Sequence, residues 1–253
     1  MQNYHYWNMK SGILEKRKSD SYTFRLSYRN QIDALFFNFS AIYRAMEINT
    51  IRGNTFGEGY IMTHTKELPN NRDVTTLTAS LQKFVDAWRT NVSVYGAYTH
   101  SISSQYQQEK LYPWNSDVYQ CRLALDSKLA TWLNLESSVQ YWTGFYDNQE
   151  DAKRRNQLVS GRMGVFVFPS PKMFVSLSGE YSWQKSGEQD ENRCFFVDAK
   201  ANYKMKGWEL EMVWQNMLNK GLYENVSYGN LNVTNVSFPL RTSNVLFSVR
   251  YNF

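Results

Sequence analysis

Apolar and polar residues alternate one by one through most of this chain, and no other feature narrows its folds as much. Successive side chains of a strand point to opposite faces, so a period-two pattern describes strands with one apolar and one polar face. In the closing stretch SNVLFSVRYNF, Val245, Phe247, Val249, Tyr251 and Phe253 fall on one face. Asn244, Ser248, Arg250 and Asn252 fall on the other, with Leu246 the apolar exception. The pattern recurs at Tyr22, Phe24, Leu26 and Tyr28 against Thr23, Arg25, Ser27 and Arg29. It recurs again at Val92, Val94, Gly96 and Tyr98, and at Phe195, Val197, Ala199, Ala201 and Tyr203. Such runs predict about eleven strands from residue 21 onward, with a twelfth in residues 2–14.

The connections are of two kinds. Tight ones are expected at 30–33, 85–88, 129–132, 169–172 and 204–207, and longer polar ones at 46–72, 101–116, 145–156, 185–193 and 217–242. The two kinds alternate along the chain. An antiparallel meander with short turns at one rim and long loops at the other has this layout, and outer-membrane barrels carry short periplasmic turns and long outside loops.

A soluble sandwich also places apolar residues on one face and polar residues on the other. Strand length and aromatic placement distinguish the two. The apolar faces end in aromatics, at Tyr98, at Tyr141, at Tyr181 with Trp183, and at Tyr251 with Phe253. An interfacial girdle requires this placement. Most runs reach the roughly nine to eleven residues that cross hydrocarbon at a tilt, whereas sandwich strands more often have about five or six. The expected fold is all-β: an antiparallel transmembrane β-barrel domain over residues 1–253, in the cell outer membrane with the lipid bilayer as its partner. The alternatives are a small complete barrel acting as a pore or enzyme, and a soluble surface β-sandwich that binds ligands.

Composition bears on what the chain excludes. Aromatics make up 16% of 253 residues at a mean hydropathy of −0.57, so they sit in an otherwise polar chain. That content is too aromatic for disorder. No run approaches the roughly 18 apolar residues of a membrane helix, while barrel strands carry only a weak hydropathy signal. The net charge is +5, and the basic clusters EKRK at 15–18 and KRR at 153–155 fall in expected loops. No nucleic-acid partner is expected from so mild an excess. Cys121 and Cys194 have no metal spacing and read as free or packed thiols. The opening MQNYHYWNMKSG lacks a basic region followed by an apolar core, so no signal peptide is expected there.

Candidate chemistry is sparse. His5, His64 and His100 form no paired metal motif, and no metal or cofactor is expected. A lipase-like site would need a serine beside His100, in THSISS. Adjacent strand residues point to opposite faces, so His100 and Ser101 cannot pair, and the chain is not expected to be an enzyme. Glu209 and Glu211 share a face, where Lys200 and Lys204 of the neighbouring strand can pair with them. Asn38 and Asn91, each opening an N-x-S/T triplet, are explained by a polar strand face without glycans. Tyr112, Trp114 and Tyr146 fall in the long loops, where they could stack on a ligand or pack the loops together.

Four stretches resemble the C-terminal half of the barrel of TonB-dependent receptors, of the Bacteroidetes-type outer-membrane β-barrel family. SGILEKRKSDSYTFRLSYRN (11–30) resembles a mid-barrel GNxxLKPEKSxxxxLxYR stretch, with Gly12, Leu14, Lys16 and Ser19 matching and the usual proline absent. FVSLSGEYSW with the following RCFFVDAKANYKMKGWELEMVWQNMLNK resembles the penultimate region. NMLNKGLYE (216–224) resembles the NLFNKxYY box before the last outside loop. The terminal strand, with aromatics at Tyr251 and Phe253, resembles the signal read by the barrel assembly machinery. The resemblance implies about half of a 22-stranded barrel, hence 11–12 membrane strands of a larger one, and energy-coupled uptake of a large nutrient such as a siderophore, a cobalamin or a glycan. The plug domain that engages the TonB complex is not recognised in these residues, so contact with that complex is expected only through a missing N-terminal part.

Overall fold

In a computed structural model, residues 6–9, 12–58, 60–147, 153–187, 190–228 and 233–251 are described. They form strands β1 (Tyr6–Asn8), β2 (Arg17–Asn30), β3 (Leu35–Gly57), β4 (Tyr60–Val85), β5 (Thr90–Gln107), β6 (Lys110–Ala130) and β7 (Leu133–Asp147). These are followed by β8 (Arg154–Ser170), β9 (Met173–Ser186), β10 (Asp190–Met205), β11 (Trp208–Gln215), β12 (Leu222–Tyr228), β13 (Val233–Pro239) and β14 (Asn244–Tyr251). The architecture is all-β and barrel-like. One twelve-stranded sheet carries everything except the β12–β13 hairpin. Apart from the short β1, it is an antiparallel meander in which β2 to β11 follow one another and β14 pairs with β11.

Tight turns stand at one rim, at 31–34, 86–88, 131–132, 171–172 and 206–207, as the alternation requires. Local chemistry sets them. Asn30 accepts the Ile32 and Asp33 amides through Oδ1, and Gly207 takes a left-handed φ of 84° that costs glycine little. The opposite rim differs from expectation. The stretches read as long polar loops are largely continuations of the strands: β3 and β4 run to Gly57 and from Tyr60, and β5 and β6 run to Gln107 and from Lys110. They stand up as two-stranded ribbons, because backbone groups pair across a hairpin whether or not its side chains bury anything. Of the stretch 2–14, where a twelfth crossing strand is expected, the described residues form only the short strand Tyr6–Asn8, which pairs in parallel with Ile61–Thr63 of β4.

The registers show how the faces continue from strand to strand. Leu26, Phe39, Ala79, Gly96, Cys121 and Tyr141 follow one another across β2 to β7 as directly opposed neighbours. Leu177, Ala199, Trp214 and Val245 do so across β9 to β14. Directly opposed residues share a face, so one whole face of the sheet is apolar. Among the described residues nothing covers it. Phe24 is 59% exposed, Met163 53% and Phe247 72%. Among the described residues only Ile51, Tyr106 and Cys194 are buried apolar side chains. A sandwich requires a second sheet packed about 10 Å away, and the β12–β13 hairpin is the only other sheet described. The sandwich alternative is thereby rejected.

Among the described residues, β2 and β14 each have a partner on one side only. Both run from the ribbon rim toward the turn rim, as the first and last members of a meander with an odd number of strands must.

Candidate functional site

The polar face is a wall of opposed hydrogen-bonding and charged groups. Arg122, Gln140, Ser160 and Ser182 form one row across β6 to β9, and Ser138, Arg162, Glu180 and Phe196 the next. They line a depression of 570 Å³ together with Asp126 and Glu136, which stand opposite each other. Arg162 donates to Glu180. Nearer the turn rim, Lys200 Nζ lies 2.7 Å from Glu211, and Lys204 and Arg250 each lie 3.7 Å from Glu209. The expected pairing of Glu209 and Glu211 with lysines of β10 is thus what the sheet forms. Asn38 donates to Ser80, and Asn91 accepts from Gln82, so both belong to polar-face rows.

Aromatics border the apolar face at both rims. Toward the ribbons, Tyr22 stacks on Tyr43 with centroids 6.4 Å apart, and Tyr98 meets Tyr119 at 4.9 Å. Toward the turns, Trp208 meets Tyr251 at 4.7 Å. Tyr251 therefore stands in the turn-rim row, while Phe253 lies outside the described residues. Between the rows the face is mainly aliphatic.

The three aromatics read as loop residues are on strands. Trp114 and Tyr146 stack on each other at 5.4 Å and 25°, on the polar face near the ribbon rim. Tyr146 folds back over Gly144, where an added Cβ would lie 2.5 Å from the Tyr146 hydroxyl. Tyr112 stands opposite Gln105, two positions further out than Trp114 on the same strand. Packing with each other is the arrangement that Trp114 and Tyr146 adopt.

His100 faces away from Ser101 and Ser103 and meets Asp117, its Nδ1 2.8 Å from Asp117 Oδ1, which also accepts from the Tyr98 hydroxyl at 2.7 Å. The same-face Ser104 is four residues along β5, roughly 13 Å away. In the ribbons, Lys66 donates to the Tyr106 hydroxyl at 2.9 Å, which raises the lysine above its ordinary range. His5 lies outside the described residues. No group of three or more metal-type side chains is close enough to hold an ion among those that are described. Cys121 is on the apolar face and Cys194 on the polar face, and both are free thiols.

Sequence reasoning missed the role of the box at 216–220. Asn216 and Asn219 sit in the left-handed region at φ 51° and 53°, which asparagine tolerates better than most residues. Asn216 Nδ2 donates to the carbonyls of Lys220 and Arg241, its Oδ1 accepts the Lys220 amide, and Asn219 Oδ1 accepts the Ser243 amide. These bonds tie the end of β11 to the start of β14 across the excursion that carries β12 and β13.

No protein-family model matches the chain, and no curated protein is significantly similar to it. Among solved structures it is similar to one described as "Structure of the FpvAI-pyocin S2 complex", at 10% sequence identity and a TM-score of 0.46. The match covers 79% of this chain and 36% of that one, so the chain spans little more than a third of the length of the solved chain it matches.

Proposed function

We propose that this sheet is part of the wall of an outer-membrane β-barrel, with its apolar face to lipid and its polar face to an aqueous lumen. A single observation carries the reading. A continuous apolar face, bordered at both rims by aromatics, stands exposed on a one-layer sheet whose other face is charged. In water such a face greatly exceeds the apolar patch a soluble monomer tolerates. In a bilayer it is the ordinary outer surface of a barrel, with aromatics at headgroup level. The likeness of residues 11–30 and 216–224 to TonB-dependent receptors extends the proposal to a receptor or transporter for a large nutrient, with no catalytic step of its own. In that reading the charged rows line the path, and the Trp114–Tyr146 stack stands on the lumen side of its mouth.

Cysteine labelling along β8 tests the two faces. In membranes of expressing cells, with Cys121 and Cys194 replaced by serine, Ser160→Cys should react with a water-soluble maleimide and Val159→Cys should be protected. Equal reaction at both positions, or recovery of the chain as a soluble monomer without detergent, overturns the membrane reading.

A further inference from the structure

Just beyond the aromatic row at the ribbon rim, the apolar face of β8 to β10 turns basic. Arg155 is held from three sides. Its Nε donates to Thr143 Oγ1 and its Nη2 to the Tyr141 hydroxyl, each at 3.4 Å, and its guanidinium carbon lies 5.1 Å from the centre of the Phe145 ring. Gln157, two residues on, donates to the same Tyr141 hydroxyl at 2.8 Å. Lys185 stands directly opposite Gln157, on the same face and diagonal to Arg155. The described acids nearby are already engaged. Glu191, opposite Lys185, accepts from Arg193 and from Trp183 Nε1 through one oxygen, and Asp147 lies 3.6 Å from Lys153. Among the described residues, three cations of this patch, Arg155, Lys185 and Arg193, thus face one carboxylate, that of Glu191. The polar face is different, since Arg162, Lys200 and Lys204 each have a carboxylate there.

We propose that this patch binds the phosphate of an anionic lipid headgroup, seated on the lipid-facing side at the outer rim. The inference rests on the membrane reading above. Surplus cations on a hydrocarbon-facing surface are stable only at headgroup depth, where the lipid itself can supply the counter-ion. The guanidinium is fixed by Tyr141, Thr143 and Phe145, and its fork matches the geometry of phosphate oxygens. Lys185 adds a second positive charge across the strand pair. Trp183 and Tyr181, lower on β9, supply the amphipathic rings that sit where acyl chains meet headgroups. Phosphate charge and an apolar chain belong to one molecule in a phosphorylated lipid, which the basic patch and the apolar strip beneath it would engage together.

The test uses the full chain extracted from membranes of expressing cells and reconstituted in nanodiscs. Bis-phosphorylated lipid A is compared with phosphatidylcholine, and bound lipid is counted by native mass spectrometry. The expected result is selective retention of lipid A, weakened about fivefold by Arg155→Gln and about as much again by adding Lys185→Gln. Arg162→Gln, on the polar face, should leave retention unchanged. Equal retention of the two lipids, or no loss in the double variant, overturns the proposal. Full displacement by an equal concentration of inorganic phosphate also overturns it, because the site would then take free phosphate. Absence of the chain from the membrane fraction overturns the membrane reading itself, and is scored before any lipid is counted.

Discussion

Asn216 shows how much one side chain can decide at the residue scale. It occupies a left-handed turn position and satisfies two carbonyls and one amide drawn from both ends of the last excursion. Asn216→Ala should therefore lower stability by about 1–2 kcal/mol, since the freed groups are solvent-accessible and recover part of their hydrogen bonding from water. The measurement is chemical denaturation in lipid, and an unchanged midpoint would remove Asn216 from the tie between β11 and β14. The residues of the box were visible in the sequence through their family likeness, but their bonding was not. Its partner carbonyl at Arg241 is 25 residues away, a separation that no local pattern reports. The pairing of Glu209 and Glu211 with lysines was legible, because period two fixes the face and the next strand of a meander supplies the neighbour.

At the element scale, the β3–β4 ribbon is where the structure departs most from its sequence reading. At its base β4 lies between β3 and β5, but at its tip Gly53 and Asn54 of β3 pair in parallel with Tyr106 and Gln107 of β5. The ribbon has turned over about its own axis, as twisted two-stranded ribbons can. The turn passes through the bulge at Ile48/Thr50, where the two hydrogens of Asn70 Nδ2 are shared among the carbonyls of Thr50, Leu68 and Ile48, at 2.9, 3.1 and 3.3 Å, next to Pro69. Asn49 at the same bulge binds the Leu14 carbonyl and the Lys16 amide, which anchors the approach to β2. The contact that seats the tip needs a glycine, because a Cβ on residue 53 would lie 2.7 Å from the Tyr106 carbonyl oxygen. A side chain there could be accommodated only by moving backbone. Gly53→Ala should free the ribbon tip while leaving the sheet intact, read as faster proteolysis between residues 50 and 67 with no change in the fragments from β6 to β10. Unaltered cleavage would mean that the tip is held elsewhere. Alternation ran weak in this stretch, because a ribbon standing above the sheet has no single buried face to impose it.

For the whole molecule, strand direction at the two open edges is the decisive quantity. β2 and β14 run the same way, so closing this sheet on itself, or joining it to a second copy edge to edge, requires a parallel seam. Bacterial single-chain barrels have even strand numbers and antiparallel seams. An antiparallel completion therefore takes an odd number of further strands, entering beside β2 and leaving beside β14. In the proposed bilayer setting, unpaired edges would cost several kcal/mol per backbone group, which would favour such a completion. Cysteines placed at Leu26 of β2 and Val249 of β14, in a background without Cys121 and Cys194, should not form a disulfide within the chain under oxidising conditions. Rapid intramolecular cross-linking would show self-closure and defeat the parity argument.

The sequence by itself determined the two-faced strands, their order as a meander, the turns at one rim and the sign of each face. These follow from period-two alternation and turn chemistry, both local properties of the chain. Only the tertiary structure decided what alternation cannot encode. It showed that no second layer among the described residues covers the apolar face, that the connections opposite the tight turns are largely ribbons, and that one ribbon turns over to seat Gly53 on Tyr106. It also brought Arg155 and Lys185 together on the apolar face at the ribbon rim. Each of these depends on which distant strands become neighbours and in which register, and that is fixed by pairing across the sheet rather than by any residue's place in the chain.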